Sequence, residues 1–221
     1  MIGRKLVVKL KRHTQHCNNS YFSQKSKKMI VRINKYLKSA VINYESIFKD
    51  IILQEQIKES AIKIIEAFRE DKKILLCGNG GSASDAQHIA AELSGRFYFD
   101  RPPLYAEALH VNSSFMTAVA NDYGQDSTYS RMVEASGRYG DVLIGISTSG
   151  NSSNVVKALQ KAKEIGMFTI GFLGKDGGKM NDFCDIKICV PSIDTPRIQE
   201  AHILIGHVIC QLVEEEIFPD A

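Results

Sequence analysis

Nothing in this 221-residue chain approaches the run of ~18 apolar residues that a membrane-spanning helix needs, so no transmembrane segment is expected. Close CxxC pairs are missing too. Cys17, Cys77, Cys184, Cys189 and Cys210 are odd in number and widely spaced, and most fall in or beside apolar segments, where a thiol behaves as a small apolar residue. Zinc held by cysteines is therefore not expected, and a reducing cytoplasm is the expected compartment. Neither GxxxxGK[ST] nor GxGxxG with its acidic ribose partner occurs, which argues against a kinase or a dehydrogenase. Acid is absent from residues 1–28, which hold eight of the 28 Lys/Arg. The remainder carries 20 basic and 25 acidic residues, a net of −5 that excludes a broadly basic nucleic-acid-binding body. The leader has no apolar core of the 7–15 residues typical of a secretory signal. It reads as a basic arm, a targeting segment or a solvated extension. Met29 lies just behind it, and a translation start placed too far upstream is the preferred reading.

What is present is two Gly/Ser loops, Cys77-Gly-Asn-Gly-Gly-Ser82 and Ile146-Ser-Thr-Ser-Gly-Asn-Ser152. Each follows a buried-strand pattern and opens a helix. Backbone N–H groups at the positive end of a helix dipole, surrounded by hydroxyls, suit a phosphate. The bland alternative for Ser149 or Ser152 is helix capping. Past the first loop, His88 and Glu92 stand four apart and share a helix face with Asp85. In isolation they would be an exposed polar pair; next to a phosphate loop they are candidates for metal binding or proton transfer. The final helix offers Gln199, Glu200, His202 and His207 within an apolar run, with His202 reading as a core or interface histidine. Gln199 and His207 lie about 12 Å apart along a helix, a gap that two extended side chains just span through one metal ion. Spacing alone does not pair this helix with the one carrying His88.

Helical periodicity runs from about Ile30 to Arg69, with a break near Lys49–Asp50. Five short apolar strands then alternate with helices: Lys73–Cys77, Leu104–His110, Asp141–Ser147, Met167–Leu173 and Ile186–Val190. Helices are expected over Ser82–Ser94, Ser113–Ala120, Asp126–Arg138 and Ser152–Ile165, with a long last one from Pro196 to about Ile217. Asn121–Gly124 reads as a turn. The alternation predicts an α/β fold, a parallel sheet covered on both faces, with ligands at the carboxyl ends of its strands. Residues 29–70 and 71–221 form one domain behind the leader.

The motifs CGNGGSASDAQHIAAELSGRF, Asn121-Asp122, GDVLIGISTSGNSSNVVKAL, GKDGGKM and RIQEAHILIGH occur in an order and spacing that resemble the bacterial phosphoheptose isomerases, which are sugar-isomerase (SIS) domain proteins. The resemblance runs from about residue 35 to 218. It implies a three-layer, flavodoxin-like, five-stranded sheet and a homotetramer with active sites at subunit interfaces. It further implies one zinc ion per subunit held by His88, Glu92, Gln199 and His207. Glu92 and His207 become the catalytic pair. The implied substrate contacts are Asn79, Gly80, Gly81, Glu92, Asn121, Asp122, Ser147, Thr148, Ser149, Ser152 and Gln199, with Ser82 and Arg96 as further contributors. The implied reaction interconverts sedoheptulose 7-phosphate and D-glycero-D-manno-heptose 7-phosphate, early in surface-polysaccharide synthesis. Its partner is a sugar phosphate, not a nucleic acid or a membrane. Rival readings are an isomerase of another phosphosugar and a non-catalytic SIS-domain tether. Relatives of the latter kind lack the acid at position 92 and the histidine at position 207; this chain has both.

Overall fold

The computed structural model describes residues 2–220, with side chains from residue 25 onward. Most of the basic leader's side chains thus lie outside the described residues. The chain divides into two units at Ile42/Asn43, inside helix α1 (Ile2–Lys49), so the last turns of α1 belong to the second unit with the rest of the chain. The expected break at Lys49–Asp50 is present. Asp50 caps α2 (Ile51–Arg69), its carboxylate accepting from the Leu53 amide at 3.0 Å.

The alternating region supplies β1 (Ile74–Gly78), α3 (Gly81–Ser94), β2 (Ala106–Ala108), α4 (Ser113–Tyr123), α5 (Thr128–Ser136) and β3 (Val142–Ser147). It ends with α6 (Ser153–Glu164), β4 (Phe168–Gly174), β5 (Ile186–Val190) and α7 (Thr195–Ile217). All strands pair in parallel, in the order β2-β1-β3-β4-β5. This is the flavodoxin-like order of the expected fold.

Successive side chains of a strand point to opposite faces, so a sheet covered twice needs apolar residues at every position. That is what β1 and β3 supply, each buried along its length. Ile74, Leu76, Ile144 and Ile146 join α2, α3 and α7 in one core, while Leu75, Cys77 and Leu143 join α5 and α6 in the other. Helices α3 and α7 therefore share a layer. They approach closely at Gly206, where an added Cβ would stand 2.5 Å from Ile89 Cδ1. Each of these two contact residues is the chain neighbour of a predicted ligand, His207 and His88.

Two expectations need correcting. The expected second strand over Leu104–His110 contracts to the three residues of β2, on the sheet edge. Asn121-Asp122-Tyr123 is the last turn of α4 rather than a free turn; the chain leaves the helix at Gly124, whose φ of 84° favours glycine.

Candidate active site

The strand order reverses between β1 and β3, and in open α/β sheets ligands collect at the carboxyl edge beside such a reversal. Both Gly/Ser loops lie there. In the first, Gly80 takes φ 55°, ψ −121° at the head of α3 and offers no side chain to cap it. The buried Tyr129 hydroxyl donates to the Gly78 carbonyl and fixes the strand end behind the loop. Gly81 has no room for a larger residue, because a Cβ there would fall 1.7 Å from Gln199 Nε2. The Gln199 carboxamide thus rests on the amino end of α3.

In the second loop the buried Ser147 places its Oγ 3.0 Å from Ser152 Oγ and 3.5 Å from Ser149 Oγ. Ser152 occupies the N-cap of α6 but makes no capping bond, and the Ser149 hydroxyl accepts from the Asn151 amide, at 3.2 Å, ahead of the helix. The capping alternative is thereby set aside for both hydroxyls. The Val155 amide goes to Asn154 Oδ1 at 3.0 Å. Three converging hydroxyls at the amino end of a twelve-residue helix suit an anion.

Asn79 is placed between the loops, and its carboxamide is occupied. Asn79 Nδ2 donates to Asn154 Oδ1 at 2.8 Å, and Asn154 Nδ2 returns to Asn79 Oδ1 at 2.9 Å. The buried Asn154, which sequence reasoning missed, therefore ties the first loop to the second. It sits 75 residues away from its partner, and no local spacing signals the pair.

His88, Glu92 and His207 come together within one chain. Their ligand atoms lie within 4.8 Å of one another. His88 Nε2 is 2.9 Å from His207 Nε2 and 3.1 Å from Glu92 Oε1. Two imidazoles and a carboxylate are the N and O donors that zinc takes. Bonds of about 2.1 Å in a tetrahedron put donors about 3.4 Å apart, close to these separations, so the residues fit a small divalent cation. Glu200, also in the last helix, pairs with Arg197 at 2.5 Å instead.

Other expected residues stand further from this cluster. Ser82 is buried in the first turn of α3, and Arg96 is exposed beyond its end. Asn121 and Asp122 are exposed at the end of α4, where Asn121 Nδ2 donates to Asp122 Oδ1 at 2.8 Å. Neither hydrogen-bonds to the two loops or to the His88 cluster. Thr148 is half-buried between Ser147 and Ser149. Asp85 is buried one turn before His88, and its Oδ2 has no partner. Burial pushes its carboxyl up to about 6, against the pull of His88.

His202 is the core histidine expected of it. It is fully buried and its Nε2 donates to the Leu173 carbonyl at 2.9 Å. Burial drives its pKa down to about 4, only partly opposed by that bond. The unfolded chain takes up the proton near 6.5 and the native chain only near 4, so between these values the unfolded state binds more protons and stability falls as pH falls. Relative to His202→Gln, the natural chain should lose roughly 2–3 kcal/mol between about pH 7 and pH 4.5 in urea melts. The opposite contribution of Asp85 is common to both proteins and cancels. A stability difference that does not change with pH would show that His202 is not held neutral.

With this geometry in view, the relatives are informative. The SIS-domain family model matches residues 35–174, more than half of the chain, which therefore belongs to that family. The phosphoheptose isomerase of Clostridium acetobutylicum is 55% identical over 186 residues, covering 84% of this chain and 95% of its own length. Phosphoheptose isomerase 2 of Campylobacter jejuni is 52% identical over 190 residues, again covering 84% of this chain and 94% of its own. The solved phosphoheptose isomerase GmhA of Neisseria gonorrhoeae superposes with a TM-score of 0.78 at 42% identity, covering 83% of this chain and 97% of that one. Within the SIS-domain family the chain belongs with the phosphoheptose isomerases and is an isomerase.

Proposed function

We propose that the chain interconverts sedoheptulose 7-phosphate and D-glycero-D-manno-heptose 7-phosphate, in the cytoplasm, as an early step towards the heptose of surface polysaccharide. The observation that carries this reading is the meeting of His88, Glu92 and His207 in the layer that also holds the first ligand loop. An aldose–ketose isomerisation moves a proton between C1 and C2 through an enediol(ate). One group must take a carbon-bound proton and another must exchange protons with the two oxygens. Glu92 presents Oε1 to His88, and Oε2 is the oxygen assigned to the carbon-bound proton. His207 is assigned the oxygen protons.

His88, Glu92, His207 and Gln199 would hold the zinc ion, which when bound polarises the carbonyl and steadies negative charge on the oxygens. Ser147, Thr148, Ser149 and Ser152 would grip the phosphate. The backbone of Asn79, Gly80 and Gly81, with Ser82, Arg96 and the Asn121–Asp122 pair, would line the sugar. Exposed Phe48 at the end of α1, with Ile51 and Ile52 at the start of α2, supports burial against further copies in a homotetramer, with residues 29–70 as packing surface. In such an assembly the outlying Asn121 and Asp122 would serve a neighbouring site.

Purified protein given sedoheptulose 7-phosphate should form the aldose phosphate. Ser147→Ala and Ser149→Ala should each raise KM about 10- to 100-fold, the value of a hydrogen bond to a charged group, with kcat changed less. Sedoheptulose without its phosphate should react poorly. Equal turnover of the two sugars would end the phosphate-grip reading, and preference for a pentose or hexose phosphate would move the chain to another substrate.

A further inference from the structure

The site leaves unexplained a fully buried ion pair at the far end of the same two helices. Arg101 and Glu214 have side chains only 1% exposed, and Arg101 Nε donates to Glu214 Oε1 at 2.9 Å. Such a pair is weak grounds for stability, since well-packed apolar residues often do as well. Its other bonds point to a different use.

Glu214 stands on α7, seven residues and about two turns beyond His207, on the same face. Its carboxylate accepts from three successive backbone amides of the segment after α3: Phe97 at 3.0 Å, Tyr98 at 2.6 Å and Phe99 at 3.1 Å. These bonds outweigh the effect of burial and hold the carboxyl below its ordinary range. Arg101 faces the other helix. Its Nη2 donates to the Glu92 carbonyl at 2.9 Å, and its Nη1 to the carbonyls of Leu93 (2.8 Å), Gly95 (3.3 Å) and Pro102 (3.1 Å). The guanidinium thus satisfies carbonyls that the end of a helix leaves without partners. The segment held by Glu214 also lays the Phe97 ring against His207, with centroids 5.8 Å apart.

We propose that Arg101 and Glu214 are positioning residues, a clamp that sets the main chain of Glu92 and the ring of His207 relative to each other. One end grips the peptide of Glu92; the other grips the peptide of Phe97, the ring that packs on His207. Small displacements of catalytic groups carry large losses in rate. Loss of the groups that orient metal ligands typically costs about 10- to 100-fold in affinity or activity. The clamp rests on the reading of His88, Glu92 and His207 given above, and its test must separate the two.

Full-length Glu214→Gln and Arg101→Lys are compared with the natural chain and with Leu159→Ala. The last variant is a cavity in the core on the opposite sheet face, which destabilises without touching the clamp. Zinc affinity is read by competition with a chromophoric chelator, and kcat and KM with sedoheptulose 7-phosphate, all well below the melting temperatures. Both clamp variants should lose about 10-fold or more in zinc affinity and in kcat, with KM moving less than about threefold, while Leu159→Ala keeps all three. Arg101→Lys preserves the charge but not the fork of contacts to Glu92 and Leu93, so it decides the matter if Glu214→Gln does not fold. Clamp variants that melt earlier but keep zinc affinity and kcat would overturn the proposal, as would failure of both to fold, which would make the pair a folding requirement. If the natural chain binds no zinc, or binds it equally well as His88→Ala, the metal reading fails. The kcat comparison then still judges the clamp.

Discussion

Glu92→Gln should lower kcat about 100- to 10,000-fold, the range that a positioned general base contributes, while the thermal melt moves little. The substitution keeps size and shape but removes the negative charge and, with it, the capacity to take a proton. Among the described residues the Glu92 side chain pairs with His88, at 3.1 Å, and an amide oxygen can face that imidazole in the same way. The backbone carbonyl of Glu92, which Arg101 uses, is untouched. Fold and chemistry are therefore separable at this position, and a melt beside a turnover assay reads each. Turnover within about threefold of the natural chain would mean that another group takes the carbon-bound proton.

The elements that stood out in the sequence are those whose partners the chain writes locally. Ile186–Val190 and the helix from Ser113 follow apolar runs bounded by Pro191 and by Asn112, whose side chain accepts from the Phe115 amide at 3.0 Å. Asp141–Ser147 and Met167–Leu173 shifted by a residue at most, because central strands buried on both faces leave little freedom in the pattern. The edge strand was overread. From Leu104 to His110 the alternation continues, but a strand with a neighbour on one side only can leave the ladder early, as β2 does after Ala108.

At the site, the i,i+4 pair His88 and Glu92 was legible because a helix puts those positions on one face. Its meeting with His207 was not, because it depends on α3 and α7 sharing a layer, a property of strand order rather than of spacing. Arg101 and Glu214 were missed for the same reason, being 113 residues apart. Glu214 also opens an acidic triplet with Glu215 and Glu216 that reads as a solvated helix end. The signal available was its phase: 214 falls four after the buried Cys210 and seven after His207, on the inner face of the helix.

Stripping divalent metal with a chelator should suppress isomerisation about 1000-fold or more, and added zinc should restore it, since a Lewis acid at a carbonyl is worth several kcal/mol of barrier. The structure supplies a second reason to expect dependence on a cation. With His88 Nε2 and His207 Nε2 2.9 Å apart, two protonated rings would repel, and two neutral rings attract only where one carries its proton on Nε2 and the other does not. Glu92 Oε1, 3.1 Å from the same His88 nitrogen, adds a negative charge that favours a positive centre. A divalent cation satisfies all three groups at once. It should therefore stabilise the native state by binding it and not the unfolded chain, by about 4 kcal/mol when zinc stands at 1000 times its dissociation constant. The chelator should lower the melting temperature as well as the rate, and both effects should vanish together in His88→Ala and His207→Ala. A protein freed of metal that turns over sedoheptulose 7-phosphate at its full rate would leave His88 without the role assigned to it, and would put the whole burden of the proton transfer on Glu92 and His207.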